Sequence, residues 1–199
     1  MKLRASAILV ASRAHGETAV ITQLLTEDHG LVAAYVAGGR GRQLRPVVMP
    51  GNLVSAEISA RTESQLPFAR LELLASRGPW LAEPLPAAAI AWSTALTACA
   101  LPERYPYPSL YAALEGLLEA ICHAPSARGW ASALVGYEAL VLREQGYGGR
   151  VERPQGDMGA VLAVMDALGP PIEHYLLAGR RGDVMAARTR LRDLLERIR

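Results

Sequence analysis

The residues able to do chemistry are few and scattered. Four histidines (His15, His29, His123 and His174) and two cysteines (Cys99 and Cys122) are spread over 199 residues. Zinc sites need four ligands in paired spacings, and Cys122-His123 is a single pair without a partner pair. There is no Gly-x-x-x-x-Gly-Lys-Ser/Thr loop, no Gly-x-Gly-x-x-Gly after a strand and no His-Glu-x-x-His. His15 beside Glu17 is the one pairing that could serve strand cleavage, and no nucleophile accompanies it. These absences lead us to expect a protein without catalytic residues, metal or cofactor.

The concentrated signal is Gly38-Gly39-Arg40-Gly41-Arg42-Gln43-Leu44-Arg45, inside a stretch with no carboxylate between Asp28 and Glu57. Guanidinium groups on a glycine-rich connection can approach phosphates closely, bind them bidentately and stack on bases. Lys2, Arg4 and Arg13 extend this field along the first strand and its loop. A solvated loop in an arginine-rich chain is the plainer explanation, since 20 of the 21 basic residues are Arg. Residues 1–80 contain only Tyr35, Phe68 and Trp80 as aromatics. Binding there is expected to rest on phosphates and arginine stacking more than on aromatic platforms, with weak sequence preference and strong salt dependence.

These residues lie on two kinds of element. Before residue 80, five runs rich in Val, Ile, Leu and Thr predict strands: Ala5–Arg13, Thr18–Thr26, Leu31–Ala37, Leu53–Arg61 and Phe68–Ala75. The last two alternate, with Val54, Ala56, Ile58 and Ala60 opposing Ser55, Glu57, Ser59 and Arg61, as half-buried antiparallel strands do. Five strands with the longest connection between the third and fourth outline an OB-fold barrel, although a small barrel or sandwich of another topology gives the same pattern. After residue 80 the period becomes helical. Helices are predicted over Ala87–Ala100, from an N-cap at Ser109 to Cys122, over Trp130–Glu144, over Asp157–Leu168, and from an N-cap at Asp183 to the end. The expectation is an α+β chain, with a barrel domain over 1–80 and an all-α helical bundle over 81–199.

Composition sets outer limits. Apolar residues are 51% and charged residues 20%, which excludes a disordered chain. No stretch is long and apolar enough for a membrane span, and the start lacks a cleavage-site pattern, so we expect a cytoplasmic protein with no membrane partner. The net charge of +2 divides unevenly: residues 1–80 carry 9 basic and 6 acidic groups, 81–179 carry 5 and 10, and 180–199 carry 7 and 3. In the last segment Arg188, Arg190 and Arg192 follow Arg180-Arg181. A solvated outer face paired with Asp183, Asp193 and Glu196 accounts for them, and a dock for an acidic partner peptide is the functional alternative.

Several motifs, taken together, resemble one family. His15-Gly16-Glu17-Thr18, Thr26-Glu27-Asp28-His29-Gly30-Leu31, Val36-Ala37-Gly38-Gly39-Arg40 and Pro50-Gly51-Asn52-Leu53 are similar in order and spacing to the N-terminal OB-fold of the bacterial recombination mediator RecO family. The resemblance continues through Leu101–Pro108, Trp130, Tyr137-Glu138 and Leu142–Gly148, so it covers about residues 5–148 well. It implies a non-catalytic, nucleoid-associated DNA repair protein that binds single- and double-stranded DNA and anneals complementary strands. The implied partners are RecR and the acidic C-terminal tail of single-stranded DNA-binding protein, with RecA loading assisted indirectly. The implied DNA surface corresponds here to Arg13, Arg40, Arg42 and Arg45. Many relatives carry a cysteine-containing segment after the helix that ends near Gly148, forming a zinc site in some. Here Gly149–Gly156 has no cysteine, so the resemblance implies no zinc role for this chain. The alternative reading is an adaptor whose helical domain binds the acidic tail, with DNA binding secondary.

Overall fold

A computed structural model describes residues 2–62, 65–148, 154, 157–179 and 184–198. Two of the expected features, the segment Gly149–Gly156 (apart from Pro154) and the cap at Asp183, lie outside the described residues. The described residues fall into two compact units: Met1–Pro79 with Leu101–Tyr111, and Trp80–Ala100 with Ala112–Arg199.

The first unit is a closed five-stranded barrel. Its strands are β1 (Lys2–His15), β2 (Ala19–Thr26), β3 (Gly30–Val36), β4 (Leu53–Ser59) and β5 (Phe68–Ala75), in spatial order β1-β2-β3-β5-β4. The order is that of an OB-fold, in which a parallel β3–β5 pairing closes an otherwise antiparallel sheet. Alternate residues fill the interior: Ala7, Leu9, Val20, Leu24, Val32, Ala34, Val36, Val54, Ala56, Ile58 and Ala69.

β1 is longer than its apolar run suggests. The register with β2 slips between Leu9 and Ala11, so Val10 is an extra residue in a bulge. A bulge reverses the side to which later residues point. Arg13 would otherwise share the inward side of Ala7 and Leu9. With Val10 inserted it lies opposite Ile21 on the outer face.

The long connection between β3 and β4 is only partly a solvated loop. Leu44 and Val47 pack against the barrel core and Val48 is buried within it. Turn hydrogen bonds shape the segment, with the amides of Arg45 and Val48 donating to the carbonyls of Gly41 and Leu44 at 2.9 and 3.0 Å. Asn52, fully buried, ties the end of the connection by donating to the Pro46 and Val47 carbonyls and accepting from the Arg77 amide.

Leu101–Tyr111, assigned from sequence to the helical part, belongs to the barrel unit. The Arg104 amide donates to the Leu31 carbonyl at 2.8 Å, and Gly30, at φ +67°, lies against the Tyr105 backbone where a Cβ would collide. Glycine is required there twice over, for its conformation and for its lack of a side chain.

The helical unit contains α1 (Pro84–Ala100), most of α2 (Pro108–His123), α3 (Ala131–Glu144), α4 (Met158–Pro171) and α5 (Val184–Glu196). Three ends differ from expectation, and proline explains each. Pro84 and Pro86 stand inside the first turn of α1, where amides have no helical acceptor and a fixed φ is favourable. Pro108 likewise opens α2, so Ser109 is inside the helix and the Tyr107 carbonyl accepts the first bonds, from Leu110 and Tyr111. α4 starts as expected, with the Asp157 carboxylate accepting from the Ala160 amide at 2.7 Å. It then runs through Gly169-Pro170-Pro171, because Pro171 has helical torsions and the Ile172 amide returns to the Leu168 carbonyl. A wider turn over Ile172–Leu176 follows. Among the described residues, no helix is long and apolar enough to cross a membrane.

Candidate nucleic-acid interface

The barrel assembles one continuous outer row. Arg13 on β1 is opposite Ile21 on β2, Ile21 is opposite Tyr35 on β3, Tyr35 pairs with Phe68 on β5, Phe68 with Ser59 on β4, and Ser59 with Lys2 back on β1. The row leaves β1 near its end and returns near its start because barrel strands are staggered. Lys2 and Arg13, far apart in sequence, thereby occupy one band of surface. In the adjacent row Arg4 is opposite Glu57, and Glu57 opposite Arg70. Arg4 and Glu57 form an exposed ion pair at 3.7 Å.

Three rings gather in this band. His15 meets Tyr35 edge-on at 5.8 Å, and Tyr35 meets Phe68 at 5.0 Å. Phe68 is 52% exposed, unusual for an apolar ring in a folded unit and informative when basic groups flank it. The rings are few, and the barrel places Tyr35 and Phe68 side by side with His15 beside them.

The Arg40 loop joins the same end. Gly39 sits so close to Val20 that a side chain would not fit, which brings the loop onto β2. The Arg40 amide donates to the Thr18 carbonyl at 2.9 Å, and its guanidinium Nη1 donates to the Gly16 carbonyl at 3.1 Å. Arg40 thus lies beside the β1–β2 turn, close in sequence to Arg13 and His15. Arg42 and Arg45 are exposed on the connection whose Leu44, Val47 and Val48 face inward. Of the six expected residues, Lys2, Arg4, Arg13 and Arg40 are brought around the aromatic band, while Arg42 and Arg45 extend the basic surface along the connection. Arg70 is absent from the residues expected at the site, and His15, Tyr35 and Phe68 enter the sequence reading in other roles. The alternation of β5 carries part of the signal, since Phe68 and Arg70 share its outward side.

The second basic region is arranged otherwise than expected. Arg188 is buried: its Nε and Nη2 donate to Glu138 at 2.9 and 2.8 Å, and it also donates to the Met165 carbonyl. Glu138, fully buried on α3, accepts from the Trp92 indole at 2.7 Å as well. Gly169 faces the guanidinium, leaving the space it occupies. Burial pushes the Glu138 carboxyl above its usual range, against the opposing hydrogen bonds and charge of Arg188 and the bond from Trp92. Arg192 is engaged by Asp166 at 2.7 Å and Glu196 at 2.5 Å, and the Arg192 hydrogen bond holds the Asp166 carboxyl below its usual range. Arg190 is exposed and lines a shallow cavity of about 590 Å³ with Met185, Leu194 and Arg197. An outer arginine face is thus reduced to Arg190 and its neighbours, with Arg188 removed to the interior.

Cys99 is half-buried on α1 and Cys122 buried on α2. Among the described residues no three His, Cys, Asp or Glu side chains converge as metal ligands.

Comparison with known proteins matches this architecture. The family model described as recombination protein O N terminal matches residues 1–77, and that described as recombination protein O C terminal matches residues 85–153. The "DNA repair protein RecO" of Phenylobacterium zucineum is 40% identical over 150 residues, covering 74% of this chain and 60% of that protein. Those of Rhodospirillum centenum and Caulobacter vibrioides are 41% and 38% identical over 143 and 150 residues, covering 71% and 74% of this chain. The chain spans about 60% of the length of these relatives. The two models of one family match residues 1–77 and 85–153 in order, and the chain belongs to the DNA repair protein RecO family.

Proposed function

We propose that this chain is a non-catalytic recombination mediator that binds single- and double-stranded DNA through the barrel, with little sequence preference. The observation that carries the reading is the band in which Lys2, Arg4, Arg13, Arg40 and Arg70 surround His15, Tyr35 and Phe68. Cationic side chains there suit phosphates, which are the same in every sequence, and the rings suit bases of any identity. Family membership supports the further steps: annealing of complementary strands, cooperation with RecR, and assistance to RecA loading at the nucleoid. Anisotropy titration of labelled oligonucleotides of unrelated sequence tests the reading. Similar affinities that fall steeply with salt are expected, and no binding at low salt would overturn it.

The α5 cavity favours a second, compatible activity. Arg190 and Arg197, against one lining carboxylate, Asp193, stand beside Met185 and Leu194 and offer net positive charge and apolar surface to an acidic peptide ending in an aromatic residue, such as the tail of single-stranded DNA-binding protein. Calorimetry with such a peptide should show binding that Arg190→Glu abolishes. Equal heat from the variant would remove this surface.

A further inference from the structure

We propose that the barrel discriminates unpaired from paired strands by seating one unpaired nucleotide in the cavity beside Phe68. The proposal rests on the nucleic-acid reading above and assigns it a preferred substrate. The cavity, of about 880 Å³, opens where β1 and β5 begin and β4 ends. Its lining includes Phe68, Ser59, Lys2, Arg4, Arg70 and Glu57. This is large enough for a nucleotide, and its chemistry is divided as a nucleotide's is.

The ring supplies the base platform. Its contact with Tyr35 is inclined at 65°, and an edge-type contact covers at most one face of Phe68. The cross-strand neighbour on the other side, Ser59, is small, which leaves room beside the ring. Tyr35 is in turn held edge-on by His15, at 87°, so the platform is fixed before a strand arrives. The cations supply the phosphate contact. Among the described residues of the lining, Lys2, Arg4 and Arg70 outnumber one carboxylate, Glu57, which stands between the two arginines in register.

Paired bases are already stacked and hydrogen-bonded within the duplex, so their faces are closed to a protein ring. Phosphates are open in both forms. Phe68 therefore contributes to single-strand binding alone, whereas Lys2, Arg4 and Arg70 contribute to both. One base–ring stack corresponds to about a 5- to 150-fold change in affinity.

The test uses the full chain, an oligothymidylate and a duplex of equal length. Phe68→Ala and Phe68→Leu should each weaken binding of the single strand by about 5- to 150-fold and leave duplex affinity within about twofold. Phe68→Leu keeps an apolar contact for Tyr35, so its unchanged melting curve separates loss of stacking from loss of fold. Phe68→Trp should retain single-strand affinity, and its added fluorescence should be quenched on binding. The triple change of Lys2, Arg4 and Arg70 to Ala should weaken both forms. If Phe68→Leu weakens neither form, or both equally, the nucleotide cavity is overturned while DNA binding by the barrel stands. If the unmodified chain binds neither form, the underlying reading fails instead.

Discussion

Arg188 and Glu138 form a bidentate ion pair in the interior of the helical unit, with two hydrogen bonds of 2.9 and 2.8 Å between α5 and α3. Removing one member of a buried pair leaves the other charge uncompensated, at a cost of about 3–5 kcal/mol. Arg188→Ala should therefore lower the unfolding free energy by that amount in urea titration. Replacing both residues by Met should cost less than Arg188→Ala alone, limited by the Trp92 indole losing its acceptor. Equal losses for the single and double variants would show that the pair is not the source.

Glycine at position 30 meets two demands that substitution can separate. Gly38→Ala confronts only a positive φ of +67°, since nothing lies within 4 Å of the added Cβ. It should cost about 1–2 kcal/mol. Gly30→Ala has the same φ and also meets the Tyr105 backbone, so its loss should be larger. Comparison of the two by thermal unfolding measures what the docking of Leu101–Tyr111 requires; equal losses would contradict the contact.

Acid sensitivity should follow Asp166. Its folded carboxyl lies below the usual range because Arg192 hydrogen-bonds to it. A depressed acid binds its proton less readily in the fold, so its stabilisation is present above the ordinary aspartate range and is lost as pH falls through the folded value. The effect should be small, because Asp166 is exposed and solvent screens the pair. Asp166→Asn should lower the melting temperature slightly near neutrality, with the two proteins converging in acid. A constant difference across pH would contradict the assignment.

Much of this fold is legible where burial is one-sided. On β4 the inward Val54, Ala56 and Ile58 alternate with outward residues, so period and face agree with the structure. β1 is harder to read, because the extra Val10 breaks the alternation that would extend it to Lys2 and His15. Arg188 read as a surface cation among other arginines. Yet its spacing to Leu191 and Leu195 places it on the buried stripe of α5, and Glu138, the one charged residue of α3 before its last turn, calls for a buried cation. That match of two charges was available in the sequence. The aromatic band was not, because Tyr35 and Phe68 meet only through the parallel closure of β3 on β5, a long-range pairing that local pattern does not encode.

The proposed hold on DNA is the grip of the barrel's guanidinium groups on its phosphates. It is tested most directly by the salt dependence of single-strand binding in the variant with Arg40, Arg42 and Arg45 all changed to Ala. Each lost phosphate contact should reduce the slope of log affinity against log salt by about 0.7. Weaker binding to every sequence alike and a slope shallower by about 2 are expected. Unchanged affinity with an unchanged slope would contradict it.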